Sequence, residues 1–121
     1  MIRIVGIQKG PTPDTEFILL QNQGAMRAHL RGHALVSARW FGGAGPFPVV
    51  LSDDVFIASS QYVWVSSGRG TNGWGMTKDG AHIYKVFLGS SQVLWGEAPE
   101  QIHLLNIQHT YSERSQEAVL V

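Results

Sequence analysis

The sequence contains no cysteine. That absence excludes disulfide frameworks, thiolate-ligated zinc and cysteine nucleophiles together, while leaving the redox compartment undecided. Net charge is missing as well: nine basic residues balance nine acidic ones and the pI is near 7.0, so no overall field draws in nucleic acid or an anionic membrane surface. Binding of either kind has to come from a local patch. No apolar run approaches the roughly 20 residues a membrane span requires, and the opening MIRIVGIQKGPTPDTE turns polar after about six apolar residues, too few for the h-region of a signal peptide. The expectation is a soluble chain, either cytoplasmic or a piece of a longer protein. Convincing helical periodicity, internal repeats and low-complexity tracts are also lacking.

What is present is a β rhythm. At 121 residues with 44% hydrophobic content, the chain suits one compact domain spanning 1–121. Apolar residues recur at period two or in short blocks, and turn residues interrupt them every eight to twelve positions or so. Strands are expected at residues 2–7, 16–22 (EFILLQN), 34–40, 47–51, 55–57, 61–66 (QYVWVS), 81–88, 93–95, 101–107 and 118–121. The second alternates Ile18 and Leu20 with Phe17 and Leu19, so both its faces are apolar and it belongs in a sheet interior. About eight to ten short strands without helices between them make two antiparallel sheets packed face to face, or a closed barrel.

The chemical motifs fail one after another. Gly68, Gly70 and Gly73 spell G-x-G-x-x-G after a strand, but the following WGMTKDG carries two more glycines and cannot open the helix that a pyrophosphate site needs. No carboxylate stands about 20 positions further on, and Lys78-Asp79 lacks the hydroxyl of a P-loop. A long inter-strand loop is the plainer reading. His29 and His33 have metal-like i, i+4 spacing only on a helix, which Gly32 and the strand after it oppose; His82, His103 and His109 are scattered. Asp53 and Asp54 are turn residues whose side chains point apart on an extended chain. Glu97 and Glu100 flank Pro99 without a calcium-loop pattern, and Gly89-Ser90-Ser91 lacks the second glycine of a nucleophile elbow. The residues therefore ask for no cofactor and no metal, and no enzyme class is supported.

Aromatic and basic residues interleave at two places, Arg39-Trp40-Phe41 and the Arg69, Trp74, Lys78 loop. Flat rings beside cations suit a nucleobase, a sugar or a protein partner, and tryptophans also simply cap a small core. Arg39, Trp40, Arg69, Trp74 and Lys78 are the candidate binding residues.

The order of several short motifs adds a resemblance. Phe17-Ile18, Leu20 and Asn22, then Leu30-x-Gly32-x-x-Leu35, then Tyr62-Val63-Trp64-Val65 with Ser67-Gly68-Arg69-Gly70-Thr71, and finally residues 93–95 and 102–106 resemble the successive strands and turns of the lamin-tail domain. His33 stands where that family often has tryptophan, and no heptad rod is present. The resemblance implies an immunoglobulin-like antiparallel β-sandwich acting as a non-catalytic interaction or structural accessory module. A protein partner is the implied ligand; nucleic acid or carbohydrate is the competing one, and an edge strand leaves pairing between two copies open.

Overall fold

A computed structural model describes residues 1–96 and 101–106. Among them are ten strands, β1 (Ile2–Gln8), β2 (Phe17–Asn22), β3 (Ala28–His29), β4 (His33–Ser37), β5 (Val49–Leu51), β6 (Phe56–Ile57), β7 (Tyr62–Ser66), β8 (Gly73–Met76), β9 (His82–Phe87) and β10 (Ile102–Asn106), with a 3-10 turn at Pro13–Thr15 and one α-helical turn, α1 (Ala38–Phe41). The strands form a five-stranded sheet in the order β1-β2-β7-β9-β8, a three-stranded sheet β10-β4-β5 and a small ribbon β3-β6. The fold is all-β and sandwich-like.

Period-two patterning sets which face is inside. On β2, Ile18, Leu20 and Asn22 are buried while Phe17, Leu19 and Gln21 are half-covered. In register with them, Ile18 faces Val65 and Leu20 faces Val63 on β7, whose neighbours on β9 are Val86 and Tyr84. Leu35, Leu51 and Ile102 of the three-stranded sheet close onto this layer, with Ile57, Leu30 and Trp95 completing the core. Each fully buried aliphatic contributes about 1.5–3 kcal/mol. As its two apolar faces require, β2 lies inside its sheet, between β1 and β7.

Two buried polar side chains tie distant segments together. Asn22 accepts from the Met1 amino group (2.9 Å) and the Gly24 N–H (3.0 Å), and donates to the carbonyls of Met26 and Ile57 (2.9 Å each). Glu16 is wholly buried, and its two carboxylate oxygens accept the N–H groups of Leu94 (2.9 Å) and Trp95 (2.8 Å).

The structure departs from the pattern-based expectation in several places. The sandwich is not purely antiparallel: β7 and β9 run parallel, because the chain leaving β7 passes to the sheet edge, forms β8 there, and returns as β9 between the two. The stretch SSGRGTNGWGMTKDG is accordingly not all loop. Its GWGM segment is β8, held to β9 through a tight turn in which the Thr77 N–H meets the Ala81 carbonyl at 2.8 Å and Gly80 takes φ 82°. Pairing with β9 overrides the poor strand propensity of two glycines. The strand expected over 34–40 stops at Ser37, whose hydroxyl accepts the Arg39 N–H (3.3 Å) and starts α1; Gly42 ends that turn on the Arg39 carbonyl (3.0 Å). The strand expected over 47–51 begins only at Val49, after a proline that has no N–H to give. Residues 93–95 form no strand, since Glu16 takes the two N–H groups a ladder would use. The strand expected at 118–121 lies outside the described residues.

Candidate functional site

The three-stranded sheet ends at β5, and beyond that edge the sandwich gapes. Residues 46–53 form one wall of a cleft of about 630 Å³, and Val86, Phe87 and Leu88 at the end of β9, with Leu94, form the other. The chain conformation explains the first wall. Pro46 and Pro48 keep the backbone extended on either side of Phe47, which is left 79% exposed, and on β5 the alternation that buries Leu51 leaves Val50 60% exposed. Trp40 of α1 packs beside Phe47 with ring centroids 4.9 Å apart.

The polar end of the cleft is Asp53. Its carboxylate accepts the Tyr84 hydroxyl at 2.5 Å and the Asn72 amide at 3.0 Å, and the Asn72 carbonyl oxygen in turn accepts the Phe87 N–H at 2.7 Å. The turn after β5 is thereby pinned to β9. Burial, then the hydrogen bond to Asp53 and the carboxylate charge, push the Tyr84 phenol up to about 12. At neutral pH it stays a proton donor to Asp53. Trp74, on β8, packs edge-on against Tyr84 with centroids 5.2 Å apart.

The five candidate binding residues fall at separate places. Arg39 and Trp40 sit on α1, where Trp40 packs against the cleft residue Phe47, and Trp74 sits on β8 against Tyr84; none of the three lines the cleft itself. Arg69 lines a different depression with Pro13, Asp14, Ser90 and Ser91. Lys78 lines a third, where Trp64 and Lys85 are its neighbours. The Lys85 ammonium stands 6.0 Å from the Trp64 ring centre, on the outer face of the five-stranded sheet where Phe17, Trp64 and Phe87 form a row with centroids 5.6 and 5.4 Å apart.

The histidine pair makes no common ligand set. His29 bonds Asp54 at 2.5 Å and stacks on Phe56, over which Arg27 also lies. His33 is buried, its Nδ1 3.0 Å from the Leu30 carbonyl oxygen, and burial lowers its pKa from 6.5. Among the described residues no three metal-capable side chains converge. Asp53 and Asp54 do point apart, one to Tyr84 and the other to His29. Glu97, Glu100 and His109 lie outside the described residues. The G-x-G-x-x-G glycines serve packing: a Cβ on Gly68 would collide with Asp14 and one on Gly70 would come within 2.6 Å of the Phe87 ring. None of the three adopts a positive φ.

Sequence reasoning overlooked the Asp53, Tyr84, Asn72 cluster and the buried Glu16. Asp53 was legible only as a turn former, and its partners, 19 and 31 positions away, carry no spacing signal. Glu16 had one signal, a carboxylate directly abutting an apolar strand. No family model, curated protein or solved structure matches the chain.

Proposed function

We propose that the chain is a non-catalytic interaction module, a lamin-tail-like sandwich of the immunoglobulin type, whose β5-side cleft receives apolar side chains of a protein partner. The observation that carries this reading is the exposure of Phe47 and Val50 on one wall of a preformed cleft, opposite Val86, Leu88 and Leu94. Large apolar groups converging on a concavity are what partner binding desolvates, and an aromatic anchor at its mouth is the usual source of affinity. The cleft's polar groups support a binding rather than a reacting role, because Asp53 is held by Tyr84 and Asn72. The experiment is affinity capture from nuclease-treated extract with wild-type protein, Phe47→Ser and Lys78→Ser in parallel. A partner retained by wild type and Lys78→Ser but lost by Phe47→Ser supports the reading; equal retention by all three removes it.

A second reading rests on the depression that sets Lys78 and Lys85 beside Trp64. Two ammonium groups next to an indole suit a flat anionic ligand such as single-stranded nucleic acid. Oligonucleotide titration at low salt, followed by tryptophan fluorescence, separates the two: a salt-sensitive change that Lys78→Ser abolishes favours this reading.

A further inference from the structure

The five-stranded sheet ends at β8, and among the described residues nothing pairs with its outer edge. Which backbone groups point outward follows from the ladder. The Thr77 N–H bonds the Ala81 carbonyl, so Thr77 and Ala81 are a hydrogen-bonded pair. Antiparallel pairs alternate, which makes Met76 with His82 a non-bonded pair, Gly75 with Ile83 a bonded one, and Trp74 with Tyr84 non-bonded. The N–H and C=O groups of Trp74 and Met76 therefore face away from β9. Their side chains are 47% and 62% exposed. Native edges are commonly blunted by lysine, proline or a bulge, and GWGM carries none of these. A Cβ on Gly73 would meet nothing within 4 Å, and one on Gly75 would meet only the flexible end of the Lys85 side chain, at 3.1 Å, which can move aside.

We infer that this edge pairs with the β8 edge of a second copy of the chain, antiparallel and centred on Gly75. The register closes on itself. With a two-fold axis at Gly75, Trp74 of one copy stands opposite Met76 of the other, and both present outward backbone groups. Two hydrogen-bonded pairs, hence four backbone bonds, form without altering β8 or β9. Gly75 faces its own equivalent as the non-bonded pair between them. On the face shared with Tyr84, a continuous row results: Tyr84, Trp74, then Met76 and His82 of the second copy, with each thioether against an indole, a favourable contact. Charge opposes the arrangement at one point: GWGM has no ionisable side chain, but the Lys85 ammonium lies 3.5 Å from where a Gly75 Cβ would stand, so the two copies bring like charges toward the axis and the dimer strengthens as salt rises. A heterologous peptide could use the same edge but would not require this register. Self-pairing on four residues is a small interface, so the dimer forms at high protein concentration. It is independent of the cleft, which lies on the β5 side.

Sedimentation equilibrium of the full chain from micromolar to millimolar concentration tests it, together with two variants. Met76→Pro removes an N–H that points away from β9, a substitution that edges tolerate. Gly75→Cys introduces the sole cysteine of the chain at the axis, where non-bonded pairs lie about 4.5 Å apart at Cα, within disulfide range. The expected result is a concentration-dependent dimer that Met76→Pro abolishes with an unchanged far-ultraviolet spectrum, and a disulfide dimer of Gly75→Cys that forms far faster than one of Ala58→Cys. A wild type that stays monomeric throughout overturns the inference. So does cross-linking of Gly75→Cys no faster than Ala58→Cys, whether or not Met76→Pro folds. Dimerisation that Met76→Pro leaves intact assigns the contact to another surface.

Discussion

Glu16 offers the sharpest test of how the sandwich is held. The carboxylate is 0% exposed and bridges the start of β2 to a segment 78 and 79 positions later, capturing the N–H groups of Leu94 and Trp95. A hydrogen bond to a charged acceptor is worth about 1.5–3 kcal/mol, and a buried N–H left without a partner costs about 1–3 kcal/mol. Glu16→Ala removes both bonds at once. Against that stands the cost of burying the carboxylate, which the alanine no longer bears. Taking the two orphaned N–H groups as the dominant loss gives about 2–5 kcal/mol of destabilisation. Glu16→Gln keeps one acceptor oxygen but turns an NH₂ group toward the other N–H, for a loss of about 2 kcal/mol. Urea unfolding measures both. The structure also predicts a local readout: Trp95 is the one fully buried tryptophan of the four, so Glu16→Ala red-shifts fluorescence before global unfolding. A Glu16→Gln variant within about 0.5 kcal/mol of wild type and with unshifted emission refutes the clamp.

Three further outcomes follow from the same structure. Because the folded Tyr84 phenol titrates near 12 and an unfolded one near 10, its contribution is fully present below pH 10 and is lost as pH rises toward 12; Tyr84→Phe therefore shows a shallower fall in unfolding midpoint over that window. Burial lowers the pKa of His33, so below about pH 6.5 the unfolded chain takes up a proton first and stability declines with acidification; His33→Gln flattens that part of the pH profile. The Leu30 and His29 backbone groups oppose that shift by hydrogen bonding, while the charges of the Met1 amino group and of the His29 ring add to it. Gly70→Ala drives a methyl to 2.6 Å from the Phe87 ring and costs about 1–3 kcal/mol, whereas Gly73→Ala meets nothing and leaves thermal stability unchanged.

Legibility in the sequence tracked the range of the interaction. The two apolar faces of EFILLQN placed β2 in a sheet interior, and turn residues marked where strands stop, because both are set by residues within a few positions of one another. The candidate site was less legible. Trp40 and Trp74 were singled out, yet neither lines the cleft: they pack on Phe47 and Tyr84, whose parts in the site no local pattern announces. Residues 93–95 looked like a strand because their side chains are apolar; a carboxylate far up the chain claims their backbone instead.

The sequence by itself determined the all-β class, the interior place of β2 and the absence of thiol chemistry, since composition and side-chain pattern are properties of the chain before it folds. Tertiary structure alone decided that GWGM is an edge strand, that β9 inserts parallel to β7, and that Asp53 meets Tyr84 and Asn72. Those outcomes depend on which segments the shared core brings side by side, and strand propensity and local spacing carry no record of that choice.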